Sequence, residues 1–434
     1  MERYAIQELY AWKNQRNRKP LILQGARQVG KTWLMQKFAQ EAFGKSVYIN
    51  FENNQRLANL FEKDFDIQRI LFEIQLATGV KVDNETLLLF DEIQEARRGI
   101  TSLKYFCEDA PEIPVIAAGS LLGIATHHND SFPVGKVNFM TLYPLSFWEF
   151  LEAMGKGQFV EVIRSQNWEM LEPFESDLQT LLRQYFIVGG MPEVVKSFAE
   201  DANVQVVRDL QRNILDAYDR DFSKHAPLNE VQRLRMVWCS VGAQLSKENK
   251  KFIYGFLKEG ARAKNFEVAI EWLKDAGLVF KVNRTKKGEL PLSAYEDIAA
   301  FKLFMLDIGL LSAQCDVPPA VLLNGNDIFS DYKGALTEQY VFQQLRVSSH
   351  NNIFYWSADN SQGEIDFLVQ QDAKVFPIEV KAAENLQAKS LRCFVEKYTQ
   401  LHGIRFSMAP YRHQAWITNY PLYAVGVDLN REGS

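Results

Sequence analysis

The sequence predicts a multi-domain α/β chain, and three observations carry the prediction. Short apolar runs alternate with amphipathic stretches through the first third; a GxxxxGK[ST] pattern joins the first such run to the first such stretch; and an acid-and-lysine pattern, D…ExK, falls on two successive strand-like runs near the C-terminus. At roughly 150 residues per domain, a length of 434 residues corresponds to about three domains.

Residues 20–23 are expected as a buried strand, 31–43 as a helix, and 46–51, 87–90 and 113–118 as further strands. Strands alternating with helices imply a parallel sheet covered on both faces. From 144 to about 225 the pattern turns helical, broken by Gly189-Gly190 and Pro192. Residues 228–292 read as a compact helical unit that ends in an apolar run at 277–282, a basic turn at 286–288 and another strand. Three helices and a basic-tipped hairpin predict a winged helix. From Ala335 the order is helix, three strands, helix. The expected boundaries are 1–155 for a nucleotide-binding core, 156–225 for a helical lid or connector, 226–300 for the winged-helix-like part and 301–434 for the last α/β domain.

Composition sets the outer limits. The chain is 47% hydrophobic and 24% charged, ordinary for a globular protein and unlike a disordered or fibrous one. Lys plus Arg number 49 against 54 acids, a net charge of −5, so any polyanion site must be a local patch. Cys107, Cys239, Cys315 and Cys393 are far apart with no CxxC pairing, which points to a reducing setting and to neither a zinc site nor a disulfide framework. The N-terminus lacks an apolar signal core, and the weakly polar stretch at 113–125 is shorter than the ~20 residues of a membrane helix. A soluble, cytoplasmic protein without a membrane partner is expected.

Gly25, Ala26, Arg27, Gln28, Val29, Gly30, Lys31 and Thr32 match GxxxxGK[ST] in full, between the strand at 21–23 and the helix after it. Glycines let such a loop curl so that backbone N–H groups and the helix N-terminus face phosphate oxygens. Lys31 is expected to reach the β- and γ-phosphates of ATP and Thr32 to ligate Mg²⁺, with Trp33 completing the nucleotide site. The apolar run at 87–90 ends in Asp91-Glu92. Asp91 is placed to hold the metal and Glu92 to polarise the attacking water, with room for one strand between the two motifs. Ser120, after the strand at 113–118, is expected either to sense the γ-phosphate or to cap a helix.

Near the C-terminus, Asp366 in one strand-like run and Glu379 and Lys381 in the next make the D…ExK arrangement. Alternate strand residues share a face, so Glu379 and Lys381 project together and an antiparallel partner brings Asp366 beside them. Glu338, in the preceding helical stretch, matches the helical acid of the PD-(D/E)xK nuclease pattern. Glu338, Asp366 and Glu379 are expected metal ligands and Lys381 the group that orients or deprotonates water. Glu364 shares the strand face of Asp366 but lies nearer the preceding turn and is left outside the site. The alternative is a salt-bridged Glu379–Lys381 pair on an exposed strand.

GARQVGKT, LLLFDEIQ, AAGSLLG, LYPLSFWEFL, GGMPEVV, FKLFMLDIGLL, GALTEQYV and GEIDFLV with PIEVK run in order through nearly the whole chain. Together they resemble the bacterial and archaeal AAA-type ATPases that carry a C-terminal restriction-endonuclease-like domain of unknown function. The resemblance implies an ATP-hydrolysing AAA-like core, a middle winged-helix region and a nuclease-like end. Where that family's pattern has an arginine before the PLSF motif, this sequence has Gly135-Lys136; Arg97, Arg98, Arg212 and Arg220 are the other candidate trans-acting cations. Lys247, Lys250, Lys251, Arg262, Lys264, Arg284, Lys286 and Lys287 concentrate positive charge in the middle region and make DNA or RNA the expected polyanion partner. Two functions are open at this level: an ATPase driving a nuclease-like, nucleic-acid-directed domain, or a nucleotide-dependent binding switch that does not cleave. Self-association into a homo-oligomer is compatible with either. A small-molecule kinase shares the phosphate loop, but the Asp91-Glu92 strand and the long C-terminal part argue against it.

Overall fold

A computed structural model describes residues 1–119, 132–247, 250–324, 330–348, 352–358, 363–382 and 388–430. Ser120 lies outside them. The chain divides into two compact units, one of Glu2–Tyr143 with Asp275–Leu278, the other of Pro144–Lys274 with Val279–Ser434.

The first unit holds β1 (Leu21–Gln24), β2 (Lys45–Asn50), β3 (Thr86–Asp91), β4 (Val115–Ala118) and β5 (Asn138–Thr141). Their order is β2-β3-β4-β1-β5, and every pairing is parallel. All six residues of β3 and all four of β4 are buried, as expected of strands covered on both faces. Phe90 of β3 meets Phe51, Phe61 and Phe106 edge-on, at 5.6–6.0 Å between ring centroids, in a core closed by Ile22, Ile70, Ile74 and Leu103. β5 was not expected: only Met140 of its four residues is buried, so no apolar run marks it.

The second unit is built on a mixed eight-stranded sheet of β6 (Val279–Thr285), β7 (Glu296–Met305), β8 (Ile353–Ser357), β9 (Glu364–Gln371), β10 (Lys374–Lys381), β11 (Gly403–Ser407), β12 (Arg412–Gln414) and β13 (Ile417–Pro421). Its order is β12-β13-β11-β10-β9-β8-β6-β7. Here the structure departs from the expected winged helix. Between 226 and 300 the described residues carry two α-helices, Val231–Leu245 and Glu267–Asp275, with short 3-10 turns. The β6–β7 hairpin is no free wing either, because β6 pairs in parallel with β8 and extends the C-terminal sheet. β7 runs across the expected boundary at 300.

One buried carboxylate ties this unit together. Asp307, fully buried, accepts from Gly190 N at 2.6 Å, from Leu310 N at 3.0 Å and from Gln343 Nε2 at 3.1 Å. The Leu310 contact caps the helix Ile308–Gln314. A Cβ on Gly190 would stand 2.1 Å from Leu145 O, so the approach requires glycine there. On the helix Ser330–Ser348, Gln339 pairs with both backbone polar groups of Met305 (2.8 and 2.7 Å), and Gln344 accepts from Phe147 N at 2.7 Å. Burial raises the Asp307 carboxyl, and the hydrogen bonds from Gly190, Leu310 and Gln343 oppose that rise. Among the described residues no helix is long and apolar enough to cross a membrane.

Replacing Asp307 by Ala strips three buried donors of their acceptor. A loss of about 3 kcal/mol from the second unit is expected, measured as a lower urea midpoint for the transition that exposes its tryptophans.

Candidate nucleotide site and a second acid cluster

The phosphate loop spans β1 and the helix Lys31–Ala42, with Gly30 at the helix N-cap in the left-handed region at φ 93°. Gly25 has φ 145°, and a Cβ there would lie 2.3 Å from Leu142 O. Lys31 Nζ lies over the curl, donating to Gly25 O and Ala26 O at 2.8 Å each. Burial lowers its pKa to about 8 against the pull of Glu92 and Asp91. A further residue clamps the loop: buried Arg3 donates to Val29 O at 2.9 Å and to Tyr143 O at 2.7 Å. Sequence reasoning missed Arg3, because a lone arginine near a terminus carries no local signal. Trp33 is exposed in the first turn of the helix, and Lys37 Nζ is 5.2 Å from its ring centroid.

Asp91 ends β3 buried, with β4 between it and β1. Asp91 Oδ2 accepts from Thr32 Oγ1 at 2.7 Å and from Tyr48 Oη at 2.8 Å, and Oδ1 accepts from Glu92 N at 3.1 Å. Tyr48 also escaped the sequence reading. Partial burial, then its bond to Asp91, push its phenol up to about 12, so it remains a donor throughout the physiological range. Glu92 follows at φ 48° and accepts from Gln94 Nε2. The structure therefore brings Lys31, Thr32, Asp91 and Glu92 to one end of the sheet. A hydroxyl and a carboxylate oxygen in direct contact are hard donors that suit Mg²⁺, which when bound neutralises charge on the phosphates. Of the candidate cations, four are engaged locally: Arg97 with Glu62, Arg98 with Glu62 O and the Phe65 ring, Lys136 with Glu108, and Arg212 with Asp316.

Residues 17–151 match the family described as AAA domain. The match covers most of the first unit. Residues 179–320 and 333–424 match two further families, Domain of unknown function (DUF8612) and Domain of unknown function (DUF4143). Among solved structures, the chain is similar to the Walker-type ATPase of Pyrococcus abyssi, with 14% identity over 72% of this chain and 94% of that one and a TM-score of 0.46. It is also similar to the Aeropyrum pernix ORC1 protein in complex with DNA, with 12% identity over 74% and 93% of the two chains and a TM-score of 0.29. No curated protein matches it.

Outside the AAA domain, the second unit gathers the C-terminal acids. β9 and β10 are antiparallel, with Phe367 opposite Ile378, which brings Asp366 close enough for Val380 N to donate to its Oδ2 at 2.8 Å. Glu379 Oε1 pairs with Lys381 at 3.0 Å, while its buried Oε2 has no hydrogen-bond partner. Two lysines unforeseen in this role complete the group. Lys302 Nζ, wholly buried, donates to Glu338 Oε1 at 2.8 Å and to Glu364. Lys250 Nζ donates to Glu338 Oε2 and lies 3.9 Å from Asp366 Oδ1. Glu364, left outside the expected site, thus belongs to the cluster. Burial favours the neutral acid at Glu338, but Lys250 and Lys302 outweigh it and hold the carboxyl low; burial and neighbouring acids raise Asp366 and Glu379. Among the described residues no three His, Cys, Asp or Glu side chains are grouped as a metal site. The expected basic patch is also thinned: Lys250 points into the cluster, and Arg284 pairs with Asp297 at 2.8 Å.

Two outcomes follow. Lys31, with its pKa near 8, loses charge above that pH in the nucleotide-free chain, and a bound triphosphate restores the charge. Binding of a non-hydrolysable ATP analogue just above that pH is therefore expected to take up a proton, and affinity to fall as pH rises further; calorimetry in buffers of different ionisation enthalpy measures both, with Lys31→Met as the control that shows no uptake. Arg3→Ala, which frees the Val29 carbonyl, is expected to weaken analogue binding about tenfold, or about 1.4 kcal/mol, in a displacement titration.

Proposed function

We propose that the chain is a Mg²⁺-dependent ATP hydrolase whose AAA domain powers or gates a restriction-endonuclease-like, nucleic-acid-directed second unit. The observation that carries the catalytic part is the convergence of Thr32 Oγ1 on Asp91 Oδ2 at 2.7 Å beside Lys31 and Glu92. In this reading the loop amides and Lys31 hold the phosphates, Thr32 and Asp91 hold the metal, Glu92 accepts a proton from the attacking water, and Gln94 orients Glu92. Trp33 borders the nucleotide site. Tyr48 and Arg3 are positioning residues, fixing Asp91 and the loop.

For the second unit, support for the nuclease-like reading is the D…ExK set on antiparallel strands with Glu338 beside it. The alternative, a nucleotide-dependent switch that binds nucleic acid or a protein without cutting, is favoured by one observation: Glu338, Glu364 and Glu379 are each already paired with lysine. Exposed Arg262, Lys264, Lys286 and Lys287 are the cations offered to a phosphate backbone.

Lys31→Ala is expected to abolish ATP turnover. Glu92→Gln is expected to keep nucleotide binding while lowering turnover roughly 10²- to 10⁴-fold. Phosphate release with no acceptor present reads both, and undiminished turnover in both variants would refute the assignment. A Mg²⁺ or Mn²⁺ cleavage assay on DNA and RNA then separates cutting from binding.

A further inference from the structure

The metal expected at Glu338, Asp366 and Glu379 can be tested against the donors these side chains offer. A divalent cation on such acids needs two or more free carboxylate oxygens around one point, in a place where negative charge is left over. The first is met only in part, by the unpartnered Glu379 Oε2 and by Asp366 Oδ1, which lies 3.9 Å from the Lys250 ammonium, and the second fails. Both oxygens of Glu338 face lysine ammonium groups, one of Asp366 is taken by Val380 N, and one of Glu379 by Lys381. Four carboxylates, Glu338, Glu364, Asp366 and Glu379, lie among the ammonium groups of Lys250, Lys302 and Lys381, and the buried Arg405 guanidinium also acts on Glu379.

The two unforeseen lysines differ. Lys302 is fixed, its side chain 0% exposed on β7 and bridging Glu338 and Glu364. Lys250 comes from the segment that follows the helix Val231–Leu245, its side chain is 22% exposed, and its backbone sits at φ 35°, where a side chain is strained. Its ammonium nitrogen occupies the space between Glu338 Oε2 and Asp366 Oδ1, the place a bridging cation would take.

We infer that Lys250 is an internal cation that closes the acid cluster to divalent metal: with Lys302 it supplies within the chain the two positive charges a metal would bring. Removing its ammonium group leaves Lys302 to compensate one Glu338 oxygen and frees the other beside Asp366 Oδ1. The inference concerns the same cluster as the proposed nuclease-like unit but depends neither on ATP turnover nor on nucleic-acid cleavage.

Mn²⁺ binding by the nucleotide-free, full-length protein, followed by the electron paramagnetic resonance of free Mn²⁺, tests it. In the wild type, Asp366→Asn is expected to leave Mn²⁺ uptake unchanged. Lys250→Met, which keeps the length of the side chain, is expected to gain about one Mn²⁺ per chain in a site of this kind, lost again when Asp366→Asn is added; Lys250→Arg is expected to gain none. Wild-type uptake that falls in Asp366→Asn would overturn the inference, and so would a folded Lys250→Met protein with no gain. Should Lys250→Met fail to fold, the wild-type and Asp366→Asn comparison decides by itself, since metal already seated on Asp366 contradicts a closed cluster.

Discussion

The second unit depends on a buried carboxylate held by amides. Asp307 takes its compensation from backbone amides and a side-chain amide, one of them, Gly190 N, 117 residues away in the chain. Such an arrangement tolerates little displacement, since each lost donor exposes buried charge to a medium that solvates it poorly. Because Gln339 and Gln343 lie on the helix that also bears Glu338, the joint that organises the unit also orients the acid cluster.

The protein thus stabilises buried acids in three ways. Asp307 uses amides, Asp91 uses two hydroxyls and its neighbour's amide, and Glu338 uses two ammonium groups. The chemistry differs accordingly. Hydroxyl partners can rotate away and leave Asp91 available to a metal, whereas ammonium partners neutralise the negative charge that would otherwise attract one. Asp91 thus keeps hydroxyl partners, and Glu338 keeps ammonium partners.

What was legible in the sequence was local. The phosphate loop, the Asp91-Glu92 strand end and the D…ExK pair announce themselves through spacing within a few residues, and β1 to β4 through apolar runs. The missing pieces are contacts at long sequence range: Arg3 reaches residues 26 and 140 positions away, Lys302 meets Glu338 at 36 and Lys250 meets it at 88. No local pattern tells a lysine that will be buried among acids from one in a solvated basic patch, and Lys250 is consequently misread. The hairpin β6–β7 is misread for a related reason, since its own sequence says that it pairs with itself but not that β8 will join its edge.

Gly25 belongs to the phosphate loop by pattern, yet what forbids a side chain there is the carbonyl of Leu142, just past the end of β5. The glycine is demanded by the seam between the loop and the sheet edge before any phosphate arrives. A substitution at Gly25 and one at Lys31 would look alike in a nucleotide-binding screen while breaking different things, the first the seat and the second the grip. A defect that starts in the packing also shows as a loss of thermal stability, which gives a way to sort inactive variants of this loop before any ligand is added.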